Sequence, residues 1–139
     1  MNAEAPRPMR RSEKEVRDRA AIDEILTQAP VLRLALAESR SGNAIPYVVP
    51  VLFAYRGGRL YVHSAREGKK MELLARNPRV CVEVDEYRGV VPAEKPCGYS
   101  CVYRSVIGSG SVRLLEEAGE KRQALELLLE VGLEAIWER

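Results

Sequence analysis

The stretch that decides the fold is IPYVVPVLFAYRGGRLYVHSA, residues 45–65. It holds two apolar segments rich in β-branched and aromatic residues, which is typical of strands, and Arg56-Gly57-Gly58-Arg59 lies between them. Paired glycines supply the positive φ angles of a tight hairpin turn, so the two strands are predicted to be antiparallel neighbours. Pro50 cannot donate a ladder hydrogen bond, which predicts that its strand lies at an edge or a bulge there and leaves that edge open to a ligand.

Strand and helix patterns continue on both sides of this hairpin. Residues 67–77 and 118–139 carry apolar side chains near helical spacing and are predicted to be helices, the second with a possible break at Gly132. Residues 86–100 contain two prolines and two glycines without a clear period, which predicts a long loop or lid. Three more segments have the composition of strands, namely VLRLALA from Val31, RVCVEV from Arg79 and CVYRSVIGSGSVRLLEE from Cys101.

The order of these elements indicates a mainly β protein with flanking helices, an α+β fold built as a small closed or partly closed barrel. Strands and helices do not alternate throughout, which argues against a Rossmann sheet. The polar, proline-containing residues 1–11 are predicted to form a mobile N-terminal arm, followed by a single domain over residues 12–139. The apolar residues between Ala20 and Leu26 fit one face of a further helix that ends before Pro30. Two residues could be its N-cap: Ser12, in a capping box with Glu15, or Asp18.

Composition and charge narrow the classes of function. The chain has 22 Lys and Arg against 20 Asp and Glu, and a net charge of +2 gives no strong field to attract nucleic acid. Every apolar stretch is far shorter than the roughly 20 residues of a membrane-spanning helix, and the polar start lacks a secretory signal, so we expect a cytoplasmic protein. Three cysteines do not make a disulfide framework, and Cys97 and Cys101 with one histidine are too few for a zinc site, so no bound metal is expected.

The junction Tyr61-Val62-His63-Ser64-Ala65-Arg66-Glu67-Gly68-Lys69-Lys70 is the first candidate site. A strand ends there in small and polar residues, a glycine follows, and two lysines open a helix, so backbone N–H groups, a hydroxyl and ammonium charges converge. A phosphate, which carries roughly −1.5 to −2 charges, needs several such donors. The alternative is that Lys69 and Lys70 form only a solvated helix start, where they slightly oppose the helix dipole.

Two further groups are candidates for contact with a ligand. His63, the only histidine, is either a proton donor or ligand contact beside a redox cofactor, since imidazole titrates near neutrality, or a partly buried side chain satisfied by its neighbours. Arg104 and Ser105 stand at the head of a strand, where planar guanidinium donors suit a phosphate or the pyrimidine edge of a flavin. An exposed strand arginine beside a bulge is the alternative for this pair.

Three segments carry a family resemblance when they are taken in order: IPYVVPVLFAY, GGRLYVHSAREGKKMELLARNPRVCVEV and YRSVIGSGSV. Together they resemble the pyridoxamine 5'-phosphate oxidase-like superfamily of FMN-binding split barrels, and within it the nitroimidazole-resistance (Nim) family. The similarity extends from about Met9 to Leu128. The resemblance implies a split β-barrel homodimer that binds FMN at two sites in the subunit interface, with residues of both chains in each site.

The resemblance also implies roles for individual residues. The backbone of residues 50–52 would lie along the isoalloxazine ring, and His63 matches the histidine that Nim-type proteins place in the active pocket. Ser105 stands where the oxidase branch has a glutamine, which argues against oxidation of pyridoxamine phosphate. The implied cofactor-binding residues are Pro50, Val51, Leu52, His63, Ser64, Lys69, Lys70, Arg104 and Ser105.

The function expected from this resemblance is that of an FMN-dependent oxidoreductase. Reduced flavin would pass electrons to a small acceptor, with nitroimidazoles and other nitroaromatic compounds among the candidates, and His63 would position the acceptor or donate a proton. One alternative is a non-catalytic protein that holds flavin or haem for storage or sensing, with His63 as an axial haem ligand. Another is a deazaflavin-dependent reductase on the same fold, since both cofactors present a phosphate and a tricyclic ring.

Overall fold

The computed structural model describes residues 7–137, with side chains described up to residue 131. Five strands and three helices lie within this range and confirm the expected α+β class, and two 3-10 turns (Ser12–Lys14 and Pro96–Gly98) accompany them. In chain order the elements are α1 (Arg19–Gln28), β1 (Val31–Arg40), β2 (Asn43–Arg56), β3 (Arg59–Val62), α2 (Lys69–Arg76), β4 (Arg79–Val91), β5 (Ser100–Ser111) and α3 (Ala118–Trp137).

The strands form one sheet in the order β3-β2-β1-β4-β5, and neighbouring strands run antiparallel. The predicted β2–β3 hairpin is confirmed: Gly57 and Gly58 have φ angles of 59° and 76°, which glycine adopts without steric cost. Because β3 pairs only with Phe53–Arg56, the preceding part of β2 has a strand neighbour on one side alone. Pro50 lies in that part, as its missing N–H predicted.

The hydrophobic core lies on one face of this sheet. Alternate residues of β1, Leu32, Leu34 and Leu36, are buried there, and we call their side of the sheet the inner face and the opposite side the outer face. α1 covers the inner face and α2 packs against β1. Burial of a large apolar side chain contributes roughly 1.5–3 kcal/mol, so this layer is the main source of stability. The largest of the side chains that are less than 2% exposed are Phe53, Ile25, Leu32 and Val84.

α1 begins at an N-cap formed by the carboxylate of Asp18. The side chain of Asp18 accepts a hydrogen bond from the backbone N–H of Ala20 at 3.2 Å, which confirms Asp18 as the N-cap. The capping box predicted at Ser12 is wrong, because residues 12–14 form only a 3-10 turn without a side-chain cap.

A polar cluster fastens α1 to the β2–β3 hairpin. The hydroxyl of Tyr55 donates to Asp23 at 2.5 Å and accepts from Arg19 at 3.1 Å, while the Arg19 Nε donates to the same carboxylate at 3.1 Å. Each of the three groups therefore satisfies the other two, and the helix is held at the end of the sheet where the hairpin turns.

Two sequence predictions about element boundaries are wrong. Residues 86–100 are not one loop, because β4 continues to Val91 and the connection to β5 covers only residues 92–99. A bulge between Tyr87 and Gly89 shifts the strand register, and Gly89 takes a φ of 119°, so the alternation that marks a strand is broken in the sequence. The break expected at Gly132 is also absent, since α3 is continuous to Trp137.

The outer face is covered only in part. α3 packs against β2 and β3 and leaves Ala54 just 1% exposed. No helix within residues 7–137 is long and apolar enough to cross a membrane. Of the predicted arm, residues 1–6 lie outside the described residues, and its separation from the domain stays a prediction. Large apolar side chains that remain open on the outer face include Val48, Leu52, Tyr103 and Ile107, which are 57%, 61%, 56% and 72% exposed, and Tyr87, which lies opposite Tyr103 and is 64% exposed.

Candidate functional site

The loop between β3 and α2 carries the first group of predicted site residues. β3 ends at Val62, and His63 follows it as an exposed side chain. Ser64 is half-buried, and its hydroxyl donates to the carbonyl of Ala65 at 3.2 Å. Gly68 has a φ of 114° and precedes α2 without a side-chain cap, so the first N–H groups of the helix have no capping side chain. A glycine is required there because other residues rarely adopt that φ.

The two lysines predicted to bind phosphate open α2. Lys70 is half-buried, whereas Lys69 is exposed and its ammonium lies 4.5 Å from the centre of the Tyr47 ring. A cation at that distance from an aromatic face is attracted to it, by roughly 0.5–1 kcal/mol at an exposed position. Tyr47 pairs with Leu36 of β1 and therefore projects from the inner face. The contact holds the ammonium of Lys69 at this end of the sheet.

A buried carboxylate lies at the same end of the sheet. Glu38 follows the buried leucines of β1 on the inner face and is only 9% exposed. The guanidinium of Arg40 donates to it at 2.8 Å, and this hydrogen bond, followed by the positive charges of Arg40, Lys69 and Arg76, lowers its pKa. Glu38 therefore stays ionised near neutral pH, and the surrounding cations outnumber it.

An open edge of β2 joins the loop to the lysines. The pairing of β3 with β2 ends at Phe53. Further along the same edge, the ammonium of Lys69 contacts the ring of Tyr47 in β2. Six residues separate these points, which is about 20 Å of strand at about 3.3 Å per residue. Residues 50–52 lie in this interval, and His63 follows the last residue that pairs with Phe53. The structure thus gathers residues 50–52, His63 and Lys69 along one unpaired edge.

A cavity adjoins this loop. It has a volume of about 610 Å³, within the usual range for a site that holds a small molecule, and lies between α2 and the segment that follows β5. Both apolar and charged side chains line it. The lining residues are Arg66, Glu67, Gly68, Met71, Glu72, Leu74, Ala75, Val112 and Leu114.

The second predicted group lies apart from the first in the single chain. Arg104 is on β5, the edge strand opposite β3, where its Nε and Nη2 donate to one oxygen of Glu86 at 3.0 and 2.8 Å. Its Nη1 donates more weakly to Glu24, at 3.4 Å. These contacts raise the pKa of Arg104, with the hydrogen bond to Glu86 as the main cause. Ser105, the next residue, is exposed on the opposite face of the strand.

The donors at the start of α2 fit a phosphate group. Such a dianion needs positive charge together with several hydrogen-bond donors, and the loop supplies two ammonium groups, one hydroxyl and uncapped backbone N–H groups. Two neighbours of this site were missed by the sequence analysis: Tyr47, whose ring lies under the ammonium of Lys69, and Glu38, whose pKa the charge of Lys69 helps to lower. The available signal was weak: strand alternation puts the charged Glu38 on the same side as Leu34 and Leu36, which is unusual for an acidic residue.

Comparison with known proteins adds independent information. Residues 18–139 match the family described as pyridoxamine 5'-phosphate oxidase. A similar solved structure is that of a candidate 5-nitroimidazole antibiotic resistance protein from Bacteroides thetaiotaomicron. It is 34% identical, with a TM-score of 0.69, over 84% of this chain and 67% of that chain. No curated protein is significantly similar in sequence.

Two other solved structures are similar to the chain. An FAD-binding protein from Mesorhizobium loti is 30% identical, with a TM-score of 0.63, over 88% of this chain and 80% of that chain. An FAD- and haem-binding protein from Mycobacterium smegmatis is 27% identical, with a TM-score of 0.71, over 82% of this chain. The chain spans about half of the mycobacterial protein, 53% of its length.

Proposed function

Because the chain belongs to the pyridoxamine 5'-phosphate oxidase family, with the split-barrel fold of that family, we propose that it is an FMN-dependent oxidoreductase of the cytoplasm that reduces a small acceptor. The observation that carries the proposal is the group of donors at the start of α2, beside an unpaired edge of β2. Solved relatives that bind FAD support the assignment of a flavin.

In this proposal the chain's own residues divide the work of binding. Ser64, Lys69 and Lys70 hold the phosphate, since they combine a hydroxyl donor with two positive charges. The backbone of residues 50–52 lies along the ring system, where β2 has no strand neighbour and its edge is free to donate and accept hydrogen bonds. When bound, the flavin supplies the redox chemistry, and the protein supplies orientation and charge.

His63 is proposed to act on the acceptor. It is exposed at the end of β3, next to the unpaired edge where the ring is placed, and an imidazole titrates near neutral pH. It therefore positions the acceptor or donates a proton to it. The similarity to the candidate nitroimidazole-resistance protein makes a nitroimidazole the first acceptor to assay.

A homodimer with a flavin at the subunit interface is part of the proposal. The outer face leaves at least five large apolar side chains more than half exposed, and a second copy would bury them. The site in one chain is also incomplete, since Arg104 and Ser105 lie on the opposite edge strand from His63. A partner subunit would bring a second copy of that strand to each site.

The dimer is tested by a charge placed in the apolar patch. Ile107→Glu should convert a dimer to a monomer in light-scattering measurements, because the introduced carboxylate would be buried without a partner. Leu129→Glu is the control and should leave the dimer intact, because Leu129 is a similarly exposed apolar residue, 64% against 72%, that lies on α3 outside the patch. A wild-type protein that is monomeric at assay concentrations would contradict this part of the proposal.

The decisive experiment is the absorption spectrum of the purified protein, followed by extraction and mass determination of any bound cofactor. Flavin bands and the mass of FMN are expected, whereas a deazaflavin or FAD mass would correct the cofactor. Protein reconstituted with FMN and a chemical reductant should then convert a nitroimidazole. If flavin binds and the nitroimidazole is unchanged, the proposed acceptor is wrong while the proposed cofactor stands.

A second candidate function is that of a non-catalytic protein that holds flavin or haem. It is favoured by the similarity to the FAD- and haem-binding protein from Mycobacterium smegmatis and by the exposed imidazole of His63, a possible axial ligand. A Soret band in the same spectrum, lost in His63→Ala, would select this function over the first.

A further inference from the structure

A second cavity lies on the outer face, where the β2–β3 hairpin meets α3. Its volume is about 120 Å³, which is the space of about four water molecules at roughly 30 Å³ each. Three arginines, Arg56, Arg59 and Arg113, line it, and we call them the arginine cluster. The only acidic residue in the lining is Glu120, so positive charge exceeds negative charge by two.

The strand register forces two of these cations together. Arg56 lies directly opposite Arg59 at the end of the hairpin, and like charges in that position destabilise a pair of strands. Neither guanidinium forms an ion pair with any residue in the described part of the chain. Arg113 contacts Glu120 at 3.3 Å, but both side chains are substantially exposed, so this pair is weak. The repulsion between Arg56 and Arg59 is therefore left without compensation.

The rest of the lining suits a compact anion. Tyr61 and Gln123 add a hydroxyl and an amide to the guanidinium donors. Tyr61 pairs with the buried Ala54 and so projects from the same face as the cavity. Arginine forks match the tetrahedral oxygens of a phosphate in charge and geometry, and the cavity has room for one such group beside apolar walls formed by Ala124 and Leu127.

We propose that the arginine cluster binds the phosphate group of a small molecule, at a site separate from the one at the start of α2. The two sites share no residue: Ser64, Lys69 and Lys70 do not line this cavity. Tyr61 precedes Ser64 by three residues, about 10 Å of extended chain. The inference does not depend on flavin binding, and a bound phosphate would neutralise the opposed arginines that the hairpin brings together.

The test is a calorimetric titration with inorganic phosphate and, separately, adenosine 5'-monophosphate. It uses protein with Lys69→Ala and Lys70→Ala, so that the other proposed phosphate site is disabled. Adding Arg56→Gln and Arg59→Gln should weaken binding by at least about tenfold, because charge-assisted hydrogen bonds are lost. Arg122→Gln, an exposed arginine on α3 outside the cavity, is the matched control and should bind like its parent.

Thermal unfolding gives a second test, in which the direction of the change in melting temperature is informative. Without phosphate, Arg59→Gln should melt at or above the temperature of the parent, because the repulsion from Arg56 is relieved. With phosphate, only proteins that keep the cluster should gain stability. In the calorimetric titration, equal affinity for adenosine 5'-monophosphate and inorganic phosphate would show that the site recognises the phosphate group alone. Tighter binding of adenosine 5'-monophosphate would show that it recognises a phosphorylated metabolite.

Three outcomes would overturn the inference. One is the absence of binding by either probe, and another is unchanged affinity in the doubly substituted Arg56 and Arg59 protein. The third is displacement of bound phosphate by riboflavin, which has the flavin ring but no phosphate and would therefore make the cavity part of the flavin site. Failure of the flavin proposal would leave the titration with phosphate unaffected, so the two proposals fail separately.

Discussion

Replacement of both lysines at the start of α2 should weaken FMN binding strongly. Each ammonium is expected to make one charge-assisted hydrogen bond to the phosphate, and such bonds contribute roughly 1.5–3 kcal/mol. Lys69 is exposed, and solvent screening places its contribution at the lower end of that range. The loss of Lys69 and Lys70 together should therefore cost about 3 kcal/mol, which raises the Kd for FMN by about 150-fold.

The assay is a titration of the apoprotein with FMN, in which binding is measured by the quenching of flavin fluorescence. Lys14→Ala, in the turn before α1, removes a positive charge outside the site and controls for net charge. Higher salt should reduce the difference between wild type and the double variant, because ionic interactions at the surface are screened. A double variant that keeps its circular dichroism and binds FMN like the wild type would refute the phosphate assignment.

Three further predictions concern separate parts of the molecule. His63→Ala should leave FMN affinity unchanged while turnover falls by about 10²–10⁴-fold if the imidazole transfers a proton; equal turnover excludes that role. Tyr55→Phe should lower stability by about 1 kcal/mol and the Tm by about 3 °C, through its lost bond to Asp23; an unchanged Tm would show that the hydroxyl does not anchor α1. Glu117→Gln should lower the Tm at neutral pH, because backbone N–H groups of Gly119 and Glu120 lower the pKa of Glu117 below its ordinary 4.5. That contribution is full above pH 4.5 and is lost as the pH falls through the lowered value, so melting curves that stay apart in acid would contradict it.

Local signals in the sequence were sufficient for the hairpin and for the edge of β2. The paired glycines set the turn, and the missing N–H of Pro50 marked a position without a second neighbour. The end of β4 was missed because the bulge at Tyr87 shifts the alternation of side chains by one residue. A strand that changes register looks irregular in one sequence, and only its pairing with β5 shows that it continues.

That missed strand also hid the surroundings of Arg104. Its main partner, Glu86, lies in the segment that was predicted to be a loop, and Glu24 is 80 residues away in the chain. An arginine in a strand has no visible partner in the sequence until the register is known, so it appears available for a ligand. The position of the two lysines at the start of α2 could be predicted from the sequence, because a strand, a glycine and a helix follow one another directly. The contact of Lys69 with Tyr47 could not be predicted without the fold, because the two residues are far apart in the sequence.

The distribution of charge, rather than its total, distinguishes the two proposed ligand-binding surfaces from the rest of the molecule. The net charge of +2 is small, and most cations on the sheet are matched by carboxylates, as Arg33 is by Glu83 and Asp85. Burial and the neighbouring Asp85 raise the pKa of Glu83, which shows how closely acidic groups are packed around that arginine. Cations exceed carboxylates at the start of α2 and in the arginine cluster. An anion in the arginine cluster would remove the repulsion between Arg56 and Arg59, and binding at either place needs no long-range field that would attract polyanions to the whole molecule.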